Sequence, residues 1–362
     1  MNILYLTNHL NIGGITSYVD SLSSGLKERG HNIYIASSGG DKLHDFLDKG
    51  INFIQVPLKT KAEFSPKIII SFFKLLPYIK ENKIDIIHAN TRVTQVLACF
   101  LSFFSGKPFI STCHGFFKTR FVRLLFPCWG KKVIAISQQV EQHLRHDFKV
   151  NPAAISLINN GIDVGRFANN QGFDRQLIRK ELGIGEGLVV GIVGRLSDVK
   201  GHIYLIKAIS IVAKDVPQVK LLIIGEGKMF SQLIDLTKQL GIEDKVFFIN
   251  SVMDTRRVLA IMDLFVMPSL KEGLGLALME AMASGLPVIG SNVGGIKTLI
   301  ADGYNGLLVE PADVPGLAQA ITVLINDPEK RKAFGANASI FIQKNFSLKK
   351  MLDQTEEVYE NV

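Results

Sequence analysis

The 362 residues carry 41 Lys and Arg against 33 Asp and Glu, a net charge of +8, and 47% of them are hydrophobic. That length and a mean hydropathy of +0.23 exclude a disordered chain and exceed one ordinary core, so two domains of roughly 150–200 residues are expected. No run reaches the roughly 18 uncharged apolar residues of a spanning helix, the first residues lack a secretory leader, and Cys99, Cys113 and Cys128 lack metal-ligand spacing, so a cytoplasmic protein with reduced, buried thiols is expected.

In chain order, residues 2–7 (NILYLT) form a short apolar run, followed by a polar loop with Gly13 and Gly14 and a helical pattern over 16–29 that stops at Gly30. A buried parallel strand, a glycine turn and a helix open a βαβ unit. Gly13 and Gly14 therefore face the crevice at the strand's carboxyl end, where open α/β sheets bind ligands, or else serve only a tight turn. The dinucleotide fingerprint G-x-G-x-x-G does not occur here. Further strands are predicted over 32–37, 53–56, 84–89, 108–113 and 133–136, spaced as in a doubly wound sheet. His88 and His114 end two of them, at the same sheet edge as the glycines, and a structural role is the preferred reading of His88. Residues 137–148 read as a helix with a Ser137 cap.

Residues 66–83 and 116–132 mix large apolar side chains with Lys and Arg. They fit a membrane interface that meets anionic lipid, and equally core helices with solvated basic faces. Residues 1–165 hold 19 Lys and Arg against 11 Asp and Glu, whereas residues 166–362 hold 22 of each. All the excess charge thus lies in the first half, which is either simply a solvated surface or the mark of an anionic partner such as a phosphate-bearing lipid or an acidic saccharide, with no nucleic acid expected.

The loop composition of 169–173 places a domain boundary there, giving domains 1–168 and 169–346, with residues 347–362 returning to the first. The alternation then restarts. Strands are predicted over 188–193, 220–225, 246–249, 264–267, 288–289 and 306–309, and helices over 202–214, 230–240, 315–326 and 328–345. Arg195 and Lys200 follow the first of these strands, where two fixed cations can neutralise a diphosphate.

Residues 268–295 (PSLKEGLGLALMEAMASGLPVIGSNVGG) hold most of the chemistry. A short helix starts near Gly275 and stops by Ser284, since 276–283 is rich in helix formers, Gly285 suits the position past the end, and Pro287 cannot continue it. Its unpaired first N–H groups, beside Gly273, Leu274, Gly275 and Leu276, make a phosphate seat. Glu272 and Glu280 are eight residues apart, about 12 Å of helical rise, too far for the roughly 5–9.5 Å of a glycosidase pair. They suit two parts of one long ligand. A nucleotide sugar fits, with its sugar hydroxyls on Glu272 and its ribose on Glu280, although solvated carboxylates are the plainer reading of each.

The E-x7-E run followed by G-G resembles the signature of retaining glycosyltransferases of family 4. That resemblance implies the GT-B fold, α/β with two Rossmann-like doubly wound domains facing a cleft, and no metal cofactor. It implies that Gly13 and Gly14 lie near the donor phosphates and that His114, at the family's H-G position, approaches the donor sugar. It makes Asn160, Gly161, Ile162, Asp163 and Phe167 the interdomain crossing, Arg195 and Lys200 the diphosphate clamp, and Val252 part of the turn that holds the base. Asn250, Lys297 and Thr298 depart from the family pattern.

The resemblance further implies transfer of a sugar, taken as a hexose or N-acetylhexosamine, from a nucleotide diphosphate sugar to a hydroxyl with retention at the anomeric carbon. The basic aromatic stretches 66–83 and 116–132 suggest a lipid-linked or cell-envelope saccharide as acceptor and a peripheral place at the inner face of the membrane. No residue of the chain selects the base, and uridine (UDP) is taken as the expectation. The chain has no D-x-D, the usual metal-chelating element, so Arg195, Lys200 and the helix N-terminus are expected to meet the leaving-group charge. With no nucleophile evident, a front-face displacement is the preferred course. An inactive nucleotide-sugar-binding protein, or a phosphorylase or isomerising enzyme of the same architecture, stays open.

Overall fold

The computed structural model describes all residues except 61, 64, 120, 169–171 and 253, and the side chain of residue 122. Among the described residues the first sheet has seven strands, β1 (Asn2–Leu6), β2 (Asn32–Ser37), β3 (Asn52–Gln55), β4 (Ile86–Ala89), β5 (Phe109–Cys113), β6 (Lys132–Ala135) and β7 (Ile155–Leu157). Their spatial order is β3-β2-β1-β4-β5-β6-β7, all parallel. The second sheet has six, β8 (Val189–Val193), β9 (Lys220–Ile224), β10 (Val246–Ile249), β11 (Leu264–Met267), β12 (Val288–Ser291) and β13 (Leu307–Val309). They run parallel in the order β10-β9-β8-β11-β12-β13.

Helices cover both faces of a parallel sheet, so its strands read as continuous apolar runs, not as alternation. In β1, Ile3 and Tyr5 enter one buried cluster and Leu4 and Leu6 another. The second sheet packs against the helix His202–Asp215 through Leu205, Ile206 and Ile209, and against the helix Val314–Asn326 through Leu317, Ile321 and Leu324.

The chain divides into two compact units, Met1–Gly161 with Leu348–Val362, and Ile162–Ser347. The helix Leu348–Glu360 therefore belongs to the first unit. It is fastened there by a buried polar chain: the Tyr359 hydroxyl lies 2.9 Å from that of Tyr5 and 2.7 Å from Nδ1 of His88, whose Nε2 lies 2.7 Å from Thr112 Oγ1. Both ring nitrogens of His88 are thus partnered, and burial lowers its pKa to about 3. His88, fully buried and hydrogen-bonded on both sides, ties the helix Leu348–Glu360 to β5.

The first compact unit stops at Gly161, ahead of the break expected at 168/169. The helix Val164–Ala168 packs on the helices Leu276–Ala283 and Pro328–Asn345, and Ile162 N–H donates to the Phe346 carbonyl at 2.8 Å. Residues 169–171 of the expected linker lie outside the described residues. The strand β7 has no counterpart among the expected strands. Of the basic stretch 116–132, only Phe121–Leu125 is helical among the described residues. Cys113 and Cys128 are buried free thiols, and Cys99 is half-buried. No helix of the described residues is long and apolar enough to cross a membrane.

Candidate functional site

In the second sheet the winding reverses between β8 and β11, which pair directly through Leu264 with Val190 and Phe265 with Gly191. Helices leave these two strands toward opposite faces, which opens a crevice outside their carboxyl ends. The loops that follow the two strands carry Arg195 and Lys200, and Glu272 through Gly275, respectively. They are tied to each other, since Leu270 N–H donates to the Val199 carbonyl at 2.8 Å.

Lys200 Nζ forms an ion pair with Glu272 Oε2, both side chains being largely but not wholly buried. The other carboxylate oxygen of Glu272 accepts the Gly273 N–H at 3.2 Å. One carboxylate thus bridges the lysine and the first amide of the expected phosphate seat. The helix Leu276–Ala283 starts after Gly275, whose φ of 99° suits glycine, and neither a side-chain cap nor a first-turn acid meets its leading amides. Those amides face a position favourable to an anion. The glycine pair that ends the motif closes the loop from behind: Gly295 N–H donates to the Glu272 carbonyl at 3.2 Å. A Cβ on Gly294 would overlap that same carbonyl oxygen.

Glu280 is half-buried, and its Oε2 accepts from Thr255 Oγ1 at 2.8 Å. Arg195 is exposed and makes no hydrogen bond or ion pair among the described residues. Val252 is half-buried beside Ser251, whose N–H donates to Glu226 Oε1 at 3.3 Å. Thr298 directs both its N–H (3.0 Å) and its hydroxyl (2.6 Å) onto the Gly295 carbonyl, fixing the G-G turn from the helix Ile296–Leu299.

The sequence assigns no role to four polar side chains at this edge. Ser197 lies in the loop after β8, Ser269 in the loop after β11, Ser291 ends β12, and His202 follows Gly201 at the start of a helix. Each has buried side-chain polar atoms without a hydrogen-bond partner among the described residues. Burial, with Lys200 nearby, lowers the His202 pKa to about 4. Buried polar atoms are normally satisfied, and these four gather at the carboxyl ends of three adjacent strands. Their signal in the sequence is position only, at or shortly beyond a strand end.

In the first unit the reversal falls between β1 and β4. Gly13 caps the helix Gly14–Glu28 in extended conformation, and both glycines are exposed with no side-chain cap on the helix. His114 follows β5. Its Nε2 lies 3.3 Å from Asn90 Oδ1, its ring meets the edge of Tyr18 at 4.7 Å between centroids, and burial lowers its pKa to about 3. The imidazole is therefore neutral throughout the physiological range. Asn90, which no motif singles out, also donates to the His88 carbonyl at 3.3 Å.

Two parallel doubly wound sheets, the second with a glycine-bordered helix N-terminus at its winding reversal, define an α/β protein of two Rossmann-like domains, the GT-B class. Within that class the chain belongs to the glycosyltransferases: residues 12–166 match the family model Glycosyltransferase Family 4, and residues 174–340 match Glycosyl transferases group 1. It is 27% identical to the UDP-Gal:alpha-D-GlcNAc-diphosphoundecaprenol alpha-1,3-galactosyltransferase of Escherichia coli, over 91% of this chain and 88% of that one. Identity is also 27% to the N-acetyl-alpha-D-glucosaminyl L-malate synthase of Bacillus anthracis, over 99% and 96%. In fold it is similar to Anabaena Alr3699/HepE solved in complex with UDP-glucose, with a TM-score of 0.89, 24% identity and full coverage of both chains.

Proposed function

We propose that the protein transfers a hexose or N-acetylhexosamine from a nucleotide diphosphate sugar, UDP being the nucleotide, to a hydroxyl of a lipid-linked or cell-envelope saccharide, without a metal and with retention at the anomeric carbon. The observation that carries the reading is the meeting of Lys200, Glu272 and the uncapped helix N-terminus at the winding reversal of the second sheet. The diphosphate takes the helix N-terminus and Lys200, releasing Glu272 from its ion pair to accept from the sugar hydroxyls. Arg195, exposed and uncommitted, supplies the second cation. Glu280, held by Thr255, takes the ribose hydroxyls, and the backbone around Val252 takes the base.

In the reaction, the bond from the anomeric carbon to the β-phosphate oxygen breaks while the acceptor oxygen bonds to the same face of that carbon. The acceptor's proton passes to the departing phosphate. His114 acts toward the sugar as a neutral hydrogen-bonding group. The relatives' names support the donor and acceptor classes: the Escherichia coli enzyme is named for UDP-galactose and a diphosphoundecaprenol acceptor.

Turnover of a panel of UDP-hexoses and UDP-N-acetylhexosamines in excess EDTA, with lipid-linked saccharide acceptors, tests the reading. An α-linked product from an α-linked donor, read by NMR, supports it. Donor binding without hydrolysis or transfer would favour an inactive binding protein instead.

A further inference from the structure

The helix Pro66–Glu81 buries Ile68, Ser71, Leu75 and Ile79 and turns Ile69, Ile70 and Phe73 outward. A surface helix of a globular protein ordinarily gives that outer side to polar groups. The neighbouring helix Arg92–Ser105 also exposes apolar groups, with Phe103 82% and Phe104 61% accessible, and the short helix Phe121–Leu125 adds Phe121 at 78% and Leu125 at 74%. Among the described residues, every phenylalanine more than half exposed lies on these three elements.

The exposed rings of Phe73, Phe103 and Phe104 are joined through Phe72. Phe73 packs on Phe72, Phe72 on Phe104, and Phe104 on Phe103, with centroids 5.2–5.3 Å apart. Phe100, one turn before Phe104, lies 6.2 Å from Phe126, the residue directly after the helix Phe121–Leu125. Apolar side chains exposed singly need no explanation, whereas a connected ridge of this kind marks a surface that is covered in use.

Charge identifies the cover. Residues 66–80, 92–107 and 116–126 contain no Asp or Glu. Lys67, Lys74 and Lys118 are exposed beside the ridge, and the nearby Glu63 is already neutralised by Arg92 and Arg123. We infer that this face of the first unit docks onto an anionic lipid bilayer, its phenylalanines and leucines entering the headgroup boundary while its lysines meet lipid phosphates. The face lies wholly in the first unit and does not involve the donor loops, so vesicle binding and sugar transfer can fail separately.

Flotation of the full chain with phosphatidylcholine vesicles containing one-quarter phosphatidylglycerol, and with phosphatidylcholine alone, tests this. Binding to the anionic vesicles, weakening as salt is raised, is expected. The triple substitution Phe103→Ser, Phe104→Ser, Leu125→Ser should lower partitioning at least tenfold with an unchanged melting temperature. Lys67→Glu with Lys118→Glu should do the same through charge. Failure to bind vesicles, equal binding to both kinds, or binding unaffected by the triple substitution overturns the inference. So does a dimer that the triple variant converts to a monomer without any vesicle binding, which would make the ridge a subunit interface.

Discussion

Lys200, from the loop after β8, and Glu272, from the loop after β11, hold each other across the winding reversal of the second sheet. In the proposed reaction both touch the donor, so binding exchanges a partner within the protein for one in the ligand. The two residues should therefore be coupled even without donor. Lys200→Ala and Glu272→Ala should each lower stability on the order of 2 kcal/mol, and the double variant by clearly less than the two combined. Strictly additive melting shifts would remove the pair from the account. In turnover, Lys200→Ala and Arg195→Ala should each lose roughly 10²–10³-fold in kcat, the scale of one preorganised donor to a developing oxyanion.

Thr255 holds the Glu280 carboxylate from outside the glutamate motif. Thr255→Val should weaken UDP binding about fivefold, the worth of one ordinary hydrogen bond. Glu280→Ala should abolish most of the donor-induced rise in melting temperature. A Thr255→Val protein with unchanged UDP affinity in calorimetry would show that Glu280 needs no such support.

Two glycine substitutions should behave differently. A Cβ on Gly294 collides with backbone, so Gly294→Ala should displace the Glu272 loop, lowering both stability and donor affinity. Gly13 is extended and nothing lies within 4 Å of its would-be Cβ. Gly13→Ala should leave the melting temperature unchanged, so any fall in its turnover would come from crowding a ligand. Equal destabilisation in the two variants would contradict this contrast.

His88 is neutral in the folded protein because burial lowers its pKa to about 3. The unfolded chain, with an ordinary value near 6.5, binds the extra proton below that pH, so stability is full above about pH 6.5 and falls as pH drops toward 3. The slope is about 1.4 kcal/mol per pH unit for each such histidine, and His114 contributes in the same direction. Urea titrations between pH 7.5 and 5 should show this decline, and His88→Gln should flatten it while lowering the starting stability. An unchanged slope in His88→Gln would place the titration elsewhere.

Much of the architecture is legible in the sequence because strands buried on both faces announce themselves. The predicted spans 32–37, 246–249 and 264–267 coincide with β2, β10 and β11, and the helix over 328–345 coincides with Pro328–Asn345. The strand β7 escapes because Ile155–Leu157 is three residues long and none of them is fully buried, so it has no apolar run to read. At the site, the uncapped helix after Gly275 and its end at Ser284 are readable from local chemistry. The Lys200–Glu272 pair spans 72 positions, and no local pattern carries such a contact. Thr255 is hidden likewise, twenty-five positions from the carboxylate it holds. For His88, the sequence shows a strand end but not Tyr359 arriving to bond it.

The return of Leu348–Glu360 to the first sheet has a consequence for biogenesis. Everything from Ile162 to Ser347 is synthesised before the helix that carries Tyr359 leaves the ribosome. The second unit is continuous in sequence and can fold as soon as it emerges. The first must wait, with Tyr5 and His88 uncovered, until the helix Leu348–Glu360 has been translated. Nascent chains arrested near residue 345 should therefore bind chaperones through their earliest-made half, and a nonsense codon in this final helix would damage the unit made first.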